Sequence, residues 1–188
     1  MKCINFDRAF ERYMAGWMKE NSEKYKDDMD VIEDMMPDVY LEFLQKPADF
    51  LDGVAPQNYF EQFDDADMLV GWLCDYIAQG VPVPDLLLER ITSLGESAEK
   101  SLLALLDRTD LPEETEMTVV SLLREMESQA PMQRYIDFIA SLEEPSDKGD
   151  LCAEALLSMG EAVVAPVLAA LSGAGQAGRD IFADILSN

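Results

Sequence analysis

Apolar residues recur at helical spacing through nearly the whole chain. Near the N-terminus they predict a helix that begins at Asn5, whose side-chain oxygen suits the capping position. One face of this helix carries Phe6, Phe10, Tyr13, Met14 and Trp17. No segment shows the sustained two-residue alternation, rich in Val, Ile and Thr, that is typical of a strand. The pattern therefore predicts an all-α protein.

The charged stretch that follows remains helical in character. Residues 19–34 carry closely spaced acids and bases, which predicts a helix, a turn and a second helix. Pro37 suits the first turn of a short helix, because its missing N–H is not needed there. This helix is predicted to end before Pro47, since the residue preceding a proline disfavours helical backbone.

Residues 47–63 lack helical spacing and carry several aromatic side chains, so an irregular connection is predicted there. A new helix should begin at Asp64 or Asp65, either of which suits an N-cap, and should end at Gly80. We therefore interpret residues 1–80 as an irregular N-terminal helical region.

The chain becomes repetitive from residue 81 onward. A first helix that ends at a glycine is followed by a second helix with an aliphatic face, once around Gly95 and again around Gly160. The second-helix faces are Ala98, Leu102, Leu105 and Leu106 in one copy, and Val163, Val167, Leu168 and Leu171 in the other. The two glycines lie 65 positions apart, which fits two units of roughly 32 residues, a usual length for helical repeats.

A middle copy fits between these two more loosely. Its helix faces carry Val119, Leu122, Leu123 and Met126, and then Met132, Tyr135, Ile136, Ile139 and Leu142. Residues 127–129 stand where a Leu-Gly turn would be expected. Three stacked hairpins would bury a continuous core that a single hairpin cannot cover. Residues 81–188 are therefore predicted to form about three hairpins, followed by a glycine-rich linker at residues 173–178 and a C-terminal capping helix.

Two segments carry the turn and second-helix motif in register, residues 94–106 (LGESAEKSLLALL) and residues 159–171 (MGEAVVAPVLAAL). Both resemble the corresponding part of HEAT-like repeats, of the short type also found in phycocyanin-bilin lyases. The resemblance covers about the C-terminal half of the chain. It implies an α-solenoid-like array of helical hairpins that binds partner proteins along the face lined by second helices. It does not imply lyase activity.

Charge is the unusual bulk property of the chain. Its 38 acids and 14 bases give a formal net charge of −24, spread evenly along the sequence. This field repels phosphate backbones and anionic lipid surfaces, both of which bind proteins through Lys and Arg clusters. We therefore expect no nucleic-acid partner and no membrane. The acidic surface is interpreted first as solubilising, and it would also attract a basic protein.

The N-terminus and the cysteines favour a cytoplasmic protein. The charges at Asp7, Arg8 and Glu11 interrupt what would be the apolar core of a signal peptide. The three cysteines are odd in number and far apart, which suits reduced thiols.

The residue types restrict the chemistry. Histidine is absent, which removes Ser-His and Cys-His nucleophiles, histidine metal ligands and the commonest general base. Residues 173–178 match Gly-x-Gly-x-x-Gly by letters only, because no strand is predicted before them. Acidic clusters at residues 27–30 and 64–67 could supply oxygen ligands for Mg²⁺ or Ca²⁺, but a solvated face or a helix cap is the favoured interpretation. No cofactor or metal is expected.

The sequence thus favours a protein–protein interaction module, or scaffold, with no catalytic activity of its own. We expect a basic partner that contacts exposed positions on the second helices. These positions are Glu99, Lys100, Leu103, Arg134, Asp137 and Ala169. An inhibitor or immunity-type protein with an acidic blocking surface is one alternative. A metal-dependent helical enzyme that uses clustered carboxylates is another.

Overall fold

The described residues fold mainly into α-helices. The computed structural model describes residues 3–21 and 29–187, apart from the side chains of Met29 and Asp30. The helices are α1 (Phe6–Asn21), α2 (Met29–Gln45), α3 (Ala66–Ala78), α4 (Asp85–Ser93), α5 (Glu96–Leu106), α6 (Glu113–Glu125), α7 (Met132–Ala140), α8 (Asp147–Ser158), α9 (Val164–Leu171) and α10 (Gln176–Ser187). No β-strand occurs among these residues, and the all-α prediction is confirmed. None of the described helices is both long enough and apolar enough to cross a membrane.

The chain divides into two units, Met1–Ile91 (unit 1) and Thr92–Asn188 (unit 2), each of which packs mainly against itself. The division falls inside α4, near the start of the region in which the sequence predicts repeats. The predicted boundary after Gly80, which marks where the first repeat should begin, stays a prediction.

Helix α2 of unit 1 differs from its sequence prediction. It begins at Met29, so Pro37 lies inside the helix and the prediction that this proline opens a helix is wrong. An internal proline removes one backbone hydrogen bond and crowds the preceding turn. The helix nevertheless continues to Gln45, because Val39 and Phe43 on one face are 3% and 4% exposed and their burial offsets that loss. Residues 22–28, part of the stretch 19–34 for which the sequence predicts a helix, a turn and a second helix, lie outside the described part.

The connection between α2 and α3 supplies much of the core of unit 1. It forms three short 3₁₀ helices, Asp49–Leu51, Pro56–Asn58 and Phe60–Gln62, rather than a loose loop. Phe60 is 1% exposed, and its ring centroid lies 5.7 Å from that of Phe6 and 6.3 Å from that of Trp72. Phe60 therefore packs between α1 and α3.

Polar contacts fix both ends of helix α3. Asp65 caps it, since its carboxylate accepts a hydrogen bond from the backbone N–H of Met68 at 3.0 Å, as the sequence predicts. Near its other end Tyr76 is fully buried. The Tyr76 hydroxyl donates to the carbonyl of Ile4 at 3.0 Å and accepts from the N–H of Ile4 at 3.1 Å. These bonds tie the start of the chain to the middle of unit 1.

Three turns in unit 2 share one backbone feature at regular spacing. Gly95, Glu127 and Gly160 have positive φ angles of 58°, 55° and 66°. Positive φ is easily adopted by glycine and is unfavourable for other L-residues. The sequence prediction that a glycine separates two helices is confirmed at Gly95 and Gly160. In the middle turn, Glu127 adopts this conformation without being a glycine.

The core of unit 2 is mainly aliphatic. It joins helices α6 to α10 through buried residues that include Val120, Ile136, Ile139, Leu156, Val167, Phe182 and Ile185. The helices predicted for the looser middle copy are present as α6 and α7. Tyr135 is the one buried tyrosine of this cluster.

The glycine-rich segment before α10 is a close-packed element rather than the predicted linker. The N–H of Gly175 donates to the carbonyl of Ala140 at 2.8 Å, and the N–H of Gly178 donates to that of Leu142 at 3.2 Å. A Cβ atom at Gly178 would collide with the carbonyl of Ile139. The segment therefore needs glycine because α10 approaches the backbone that ends α7, and Gly178 already belongs to α10.

Candidate functional site

The six residues predicted to bind a partner all lie in unit 2, on three helices. Glu99, Lys100 and Leu103 belong to α5, Arg134 and Asp137 to α7, and Ala169 to α9. Lys100, Arg134, Asp137 and Ala169 are exposed, whereas Glu99 and Leu103 are half-buried. Within the described part of the chain, no side-chain hydrogen bond or ion pair joins one of the six to another.

Two of the six residues make polar contacts with other elements of unit 2. Ser128, which is 6% exposed, donates its hydroxyl hydrogen bond to the carboxylate of Glu99. Arg134 forms an ion pair with Asp107 at 3.0 Å and donates to the carbonyl of Leu106, which ends α5. Glu99 and Arg134 therefore connect neighbouring parts of unit 2. Lys100 pairs with Glu96 and Asp137 accepts a hydrogen bond from Gln133, each within its own helix, and Ala169 is exposed without a polar side chain.

Ion pairs also join helices α6 and α8. Lys148 pairs with Glu116, and their side chains are only 16% and 20% exposed. Arg124 on α6 forms a second ion pair, with Glu154 on α8. The ammonium of Lys148 also lies 4.1 Å from the ring centroid of Phe138, a favourable cation–π distance. These pairs fix the two helices against each other, and no local pattern indicates them because the partners are about 30 positions apart.

A small cavity of about 160 Å³ lies beside the Lys148–Glu116 pair. Tyr135 and Cys152 line it, and the Tyr135 hydroxyl is buried without a hydrogen-bond partner among the described residues. Burial raises the pKa of Cys152 to about 12, even though Lys148 lowers it in part. The thiol therefore stays protonated at neutral pH and is not poised as a nucleophile.

Helix α9 exposes an apolar face that helical periodicity assigns in part to the core. Leu168 was placed on the buried second-helix face, but it is 55% exposed, and this assignment is wrong. Val164, one turn earlier, is 41% exposed, as is Leu157 at the end of α8. Val163 and Val167, which were predicted on the same face, are buried as expected, with 2% and 0% exposed surface.

One signal in the sequence could have revealed this surface. Helix α9 is short and lies near the end of the predicted repeats. All eight of its residues, VAPVLAAL, are uncharged. A helix that is apolar on every side must either be buried all round or present an apolar face outward. Ala169, from the predicted set, is exposed on the same helix.

The acidic clusters do not form a metal site in the described residues. Asp65 caps α3, as the preferred interpretation of residues 64–67 predicts, and Asp64 pairs with Arg90. The cluster at residues 27–30 falls outside the described part, apart from the backbone of Met29 and Asp30. Over residues 3–21 and 29–187, no group of three acidic or thiol side chains converges as metal ligands would.

The described residues thus form an all-α protein in which helix α9 exposes an apolar face. No protein-family model, curated protein or solved structure matches the chain.

Proposed function

We propose that the chain is a protein–protein interaction module with no catalytic activity of its own, and that unit 2 is a HEAT-like array. The positive-φ positions 95, 127 and 160 support the array, because their spacings of 32 and 33 match one repeat length. The contacts of Ser128 with Glu99 and of Lys148 with Glu116 support it too. They join residues 29 and 32 positions apart, as expected where each repeat contacts only its neighbours.

The observation that carries the proposed function is the exposure of Val164 and Leu168 on an uncharged helix. Large apolar side chains one turn apart form a stripe, and exposed apolar stripes commonly mark interaction surfaces. An amphipathic helix of a partner protein can lay its own apolar side chains on such a stripe. Ala165 and Ala169 are small and exposed, so they allow a partner backbone to approach closely.

Charge complementarity favours a basic partner helix. Unit 2 carries 18 acids and six bases, a net charge of −12. Residues 147–187 contribute six of these acids, including the exposed Glu161 just before α9, against Lys148 and Arg179 as the only bases. A partner segment with lysines or arginines beside its apolar face would be attracted by this field and anchored by the stripe.

A capture experiment with matched leucines tests this proposal. Leu168 in unit 2 and Leu41 in unit 1 are 55% and 53% exposed, and both lie on helices. Tagged wild type, Leu168→Ser and Leu41→Ser would be expressed in the native host, purified and compared by quantitative mass spectrometry. We expect a basic protein that is captured by wild type and Leu41→Ser and is reduced about tenfold or more by Leu168→Ser, as for loss of an interface anchor.

Salt and activity measurements complete the test. Capture of the basic partner should fall as salt rises from about 50 to 500 mM, because salt screens the attraction between its charges and the acidic surface of unit 2. Equal capture by Leu168→Ser, or no protein captured above the Leu168→Ser background, would contradict the proposal. If the captured partner is an enzyme, loss of its activity on binding would identify the chain as an inhibitor.

A further inference from the structure

Unit 1 contains a concave site that the proposed function does not use. Its cavity has a volume of about 1150 Å³. The walls come from the first half of α1, from the segment that follows α2 (residues 46–50), and from the turn after α3 (residues 79–81). All of these residues belong to unit 1. Pockets that bind small molecules have volumes of this order, with apolar walls and a few converging polar groups.

Three cations line this cavity in a unit that is otherwise strongly acidic. Unit 1 has 20 acids and eight bases, yet among the described lining residues the cations are Arg8, Arg12 and Lys46 and the single acid is Asp49. The clustering is unusual because a chain of net charge −24 offers many carboxylates with which a cation could pair. The local charge of the cavity is therefore opposite in sign to that of the whole molecule.

Arg8 and Arg12 carry like charges close together, and a bound anion would reduce the repulsion between them. Arg8 and Arg12 are separated by one helical turn on α1, a spacing at which like charges repel each other and destabilise the helix. Both side chains are exposed, and neither forms an ion pair with another described residue. Guanidinium groups bind carboxylate and phosphate oxygens through paired hydrogen bonds, so two on one face can hold a single oxyanion.

The third cation and the aromatic residues complete the site. The ammonium of Lys46 lies 4.0 Å from Glu42 and 5.3 Å from the ring centroid of Tyr13, and its side chain is 61% exposed. Phe50 lines the same cavity with 46% of its surface exposed, while its ring packs edge-on against Phe6 at a centroid distance of 6.3 Å. An exposed phenyl ring inside a concave site offers a surface for an apolar group of a ligand.

We infer that this cavity binds a small organic anion, with its oxyanion head on Arg8 and Arg12 and its apolar body against Phe50. The head is a phosphate monoester or a carboxylate, since both offer the oxygens that guanidinium groups recognise. The net charge of the protein works against anion binding at long range. Affinity must therefore come from contacts inside the cavity, and it depends on these particular side chains. The inference is independent of the partner proposed for unit 2.

Calorimetric titration of the full chain with four probes tests the assignment. The probes are phenyl phosphate, phenylacetate, inorganic phosphate and phenethylamine. We expect saturable 1:1 binding of phenyl phosphate or phenylacetate with a Kd below about 1 mM. The tighter of the two identifies the head group. Inorganic phosphate should bind more weakly because it lacks the apolar body, and phenethylamine should not bind because it carries the wrong charge.

Variants then locate the site. Arg8→Gln and Arg12→Gln should each weaken binding of the preferred probe about tenfold or more, the usual size of a lost charge-assisted hydrogen bond. Lys19→Gln is the matched control, because it removes one cation from the same helix but does not line the cavity. Phe50→Ala should weaken binding of the organic probes and leave binding of inorganic phosphate unchanged.

Several results would overturn the inference. Absence of saturable binding of both organic anions up to about 10 mM would remove the site. Equal affinity for phenethylamine would show that charge plays no part, and equal affinity for inorganic phosphate would show that the ligand is not an organic anion. Equal weakening by Lys19→Gln and Arg12→Gln would assign the effect to net charge rather than to the cavity.

Discussion

Tyr76 in unit 1 and Tyr135 in unit 2 are both buried tyrosines, but their hydroxyl groups have opposite surroundings. The hydroxyl of Tyr76 makes two hydrogen bonds with the backbone of Ile4, whereas that of Tyr135 has no partner among the described residues. One glycine from each unit also differs in the space around its Cα atom. Gly71 in α3 has open space where a side chain would project, and Gly178 in α10 touches the backbone that ends α7. Although both units are helical, the buried tyrosine hydroxyl is hydrogen-bonded in unit 1, whereas a glycine is required by close backbone packing in unit 2.

The glycine pair is expected to give the largest difference. Alanine at Gly178 would place its Cβ against the carbonyl of Ile139, so we expect Gly178→Ala to lower the free energy of unfolding by about 2–3 kcal/mol. Gly71→Ala should raise it by about 1 kcal/mol, because only the helix propensity changes. Urea unfolding monitored by far-UV circular dichroism measures both values.

Both tryptophans of the chain, Trp17 and Trp72, lie in unit 1, so their fluorescence reports on that unit. A stabilising effect of Gly178→Ala in the circular-dichroism transition would contradict the close approach of α10 to α7. A destabilising effect of Gly71→Ala in the fluorescence transition would contradict the open space at α3.

The tyrosine pair should give an intermediate difference. Tyr76→Phe removes two hydrogen bonds and leaves the N–H and carbonyl of Ile4 without this partner, which should cost about 1–3 kcal/mol. Tyr135→Phe removes a hydroxyl that has no partner among the described residues, so it should be neutral or stabilise unit 2 by about 1 kcal/mol. The same unfolding measurements apply, and similar losses for both variants would show that the two hydroxyls are equally satisfied.

The positive-φ turns of unit 2 should give the smallest effect. Glu127→Gly relieves an unfavourable backbone conformation and should stabilise the protein by about 0.5–1 kcal/mol. Glu125→Gly is the matched control, because Glu125 is exposed at the end of α6 and loses helix propensity instead. Thermal unfolding of the two variants should shift in opposite directions. A shift of Glu127→Gly to lower temperature would show that its side chain matters more than its backbone angle.

The helical periodicity predicted most of the helices because it records which face each helix buries. It identified the helix of Asp65 and both hairpin glycines, where a local signal coincides with the structure. The local preference of proline for the first helical turn misplaced the start of α2, because burial of Val39 and Phe43 outweighs the cost of an internal Pro37. The preference of a single residue is small beside the burial of a helix face.

The candidate sites were harder to predict because they depend on which side chains remain uncovered. Periodicity assigned Leu168 to the core, since it cannot tell which of two apolar faces of α9 is covered. In the sequence, Arg8 stands out only as a charge that interrupts an apolar signal core, and nothing in the pattern singles out Arg12 as a ligand-binding residue. Their convergence with Lys46 requires the fold, because these cations come from segments separated by more than 30 residues.

The bonds between Ile4 and Tyr76 span 72 positions, and this distance sets an order of events during synthesis. A chain made from its N-terminus exposes Ile4 long before Tyr76 has left the ribosome. The hydrogen bonds of Ile4 with Tyr76 can therefore form only after α3 has been synthesised. The contacts of unit 2 that span about 30 positions close much shorter loops, so each can form soon after its second partner emerges. The Ile4–Tyr76 pair of unit 1 closes a loop more than twice as long as either of these contacts of unit 2, at a closure cost that grows only slowly with length.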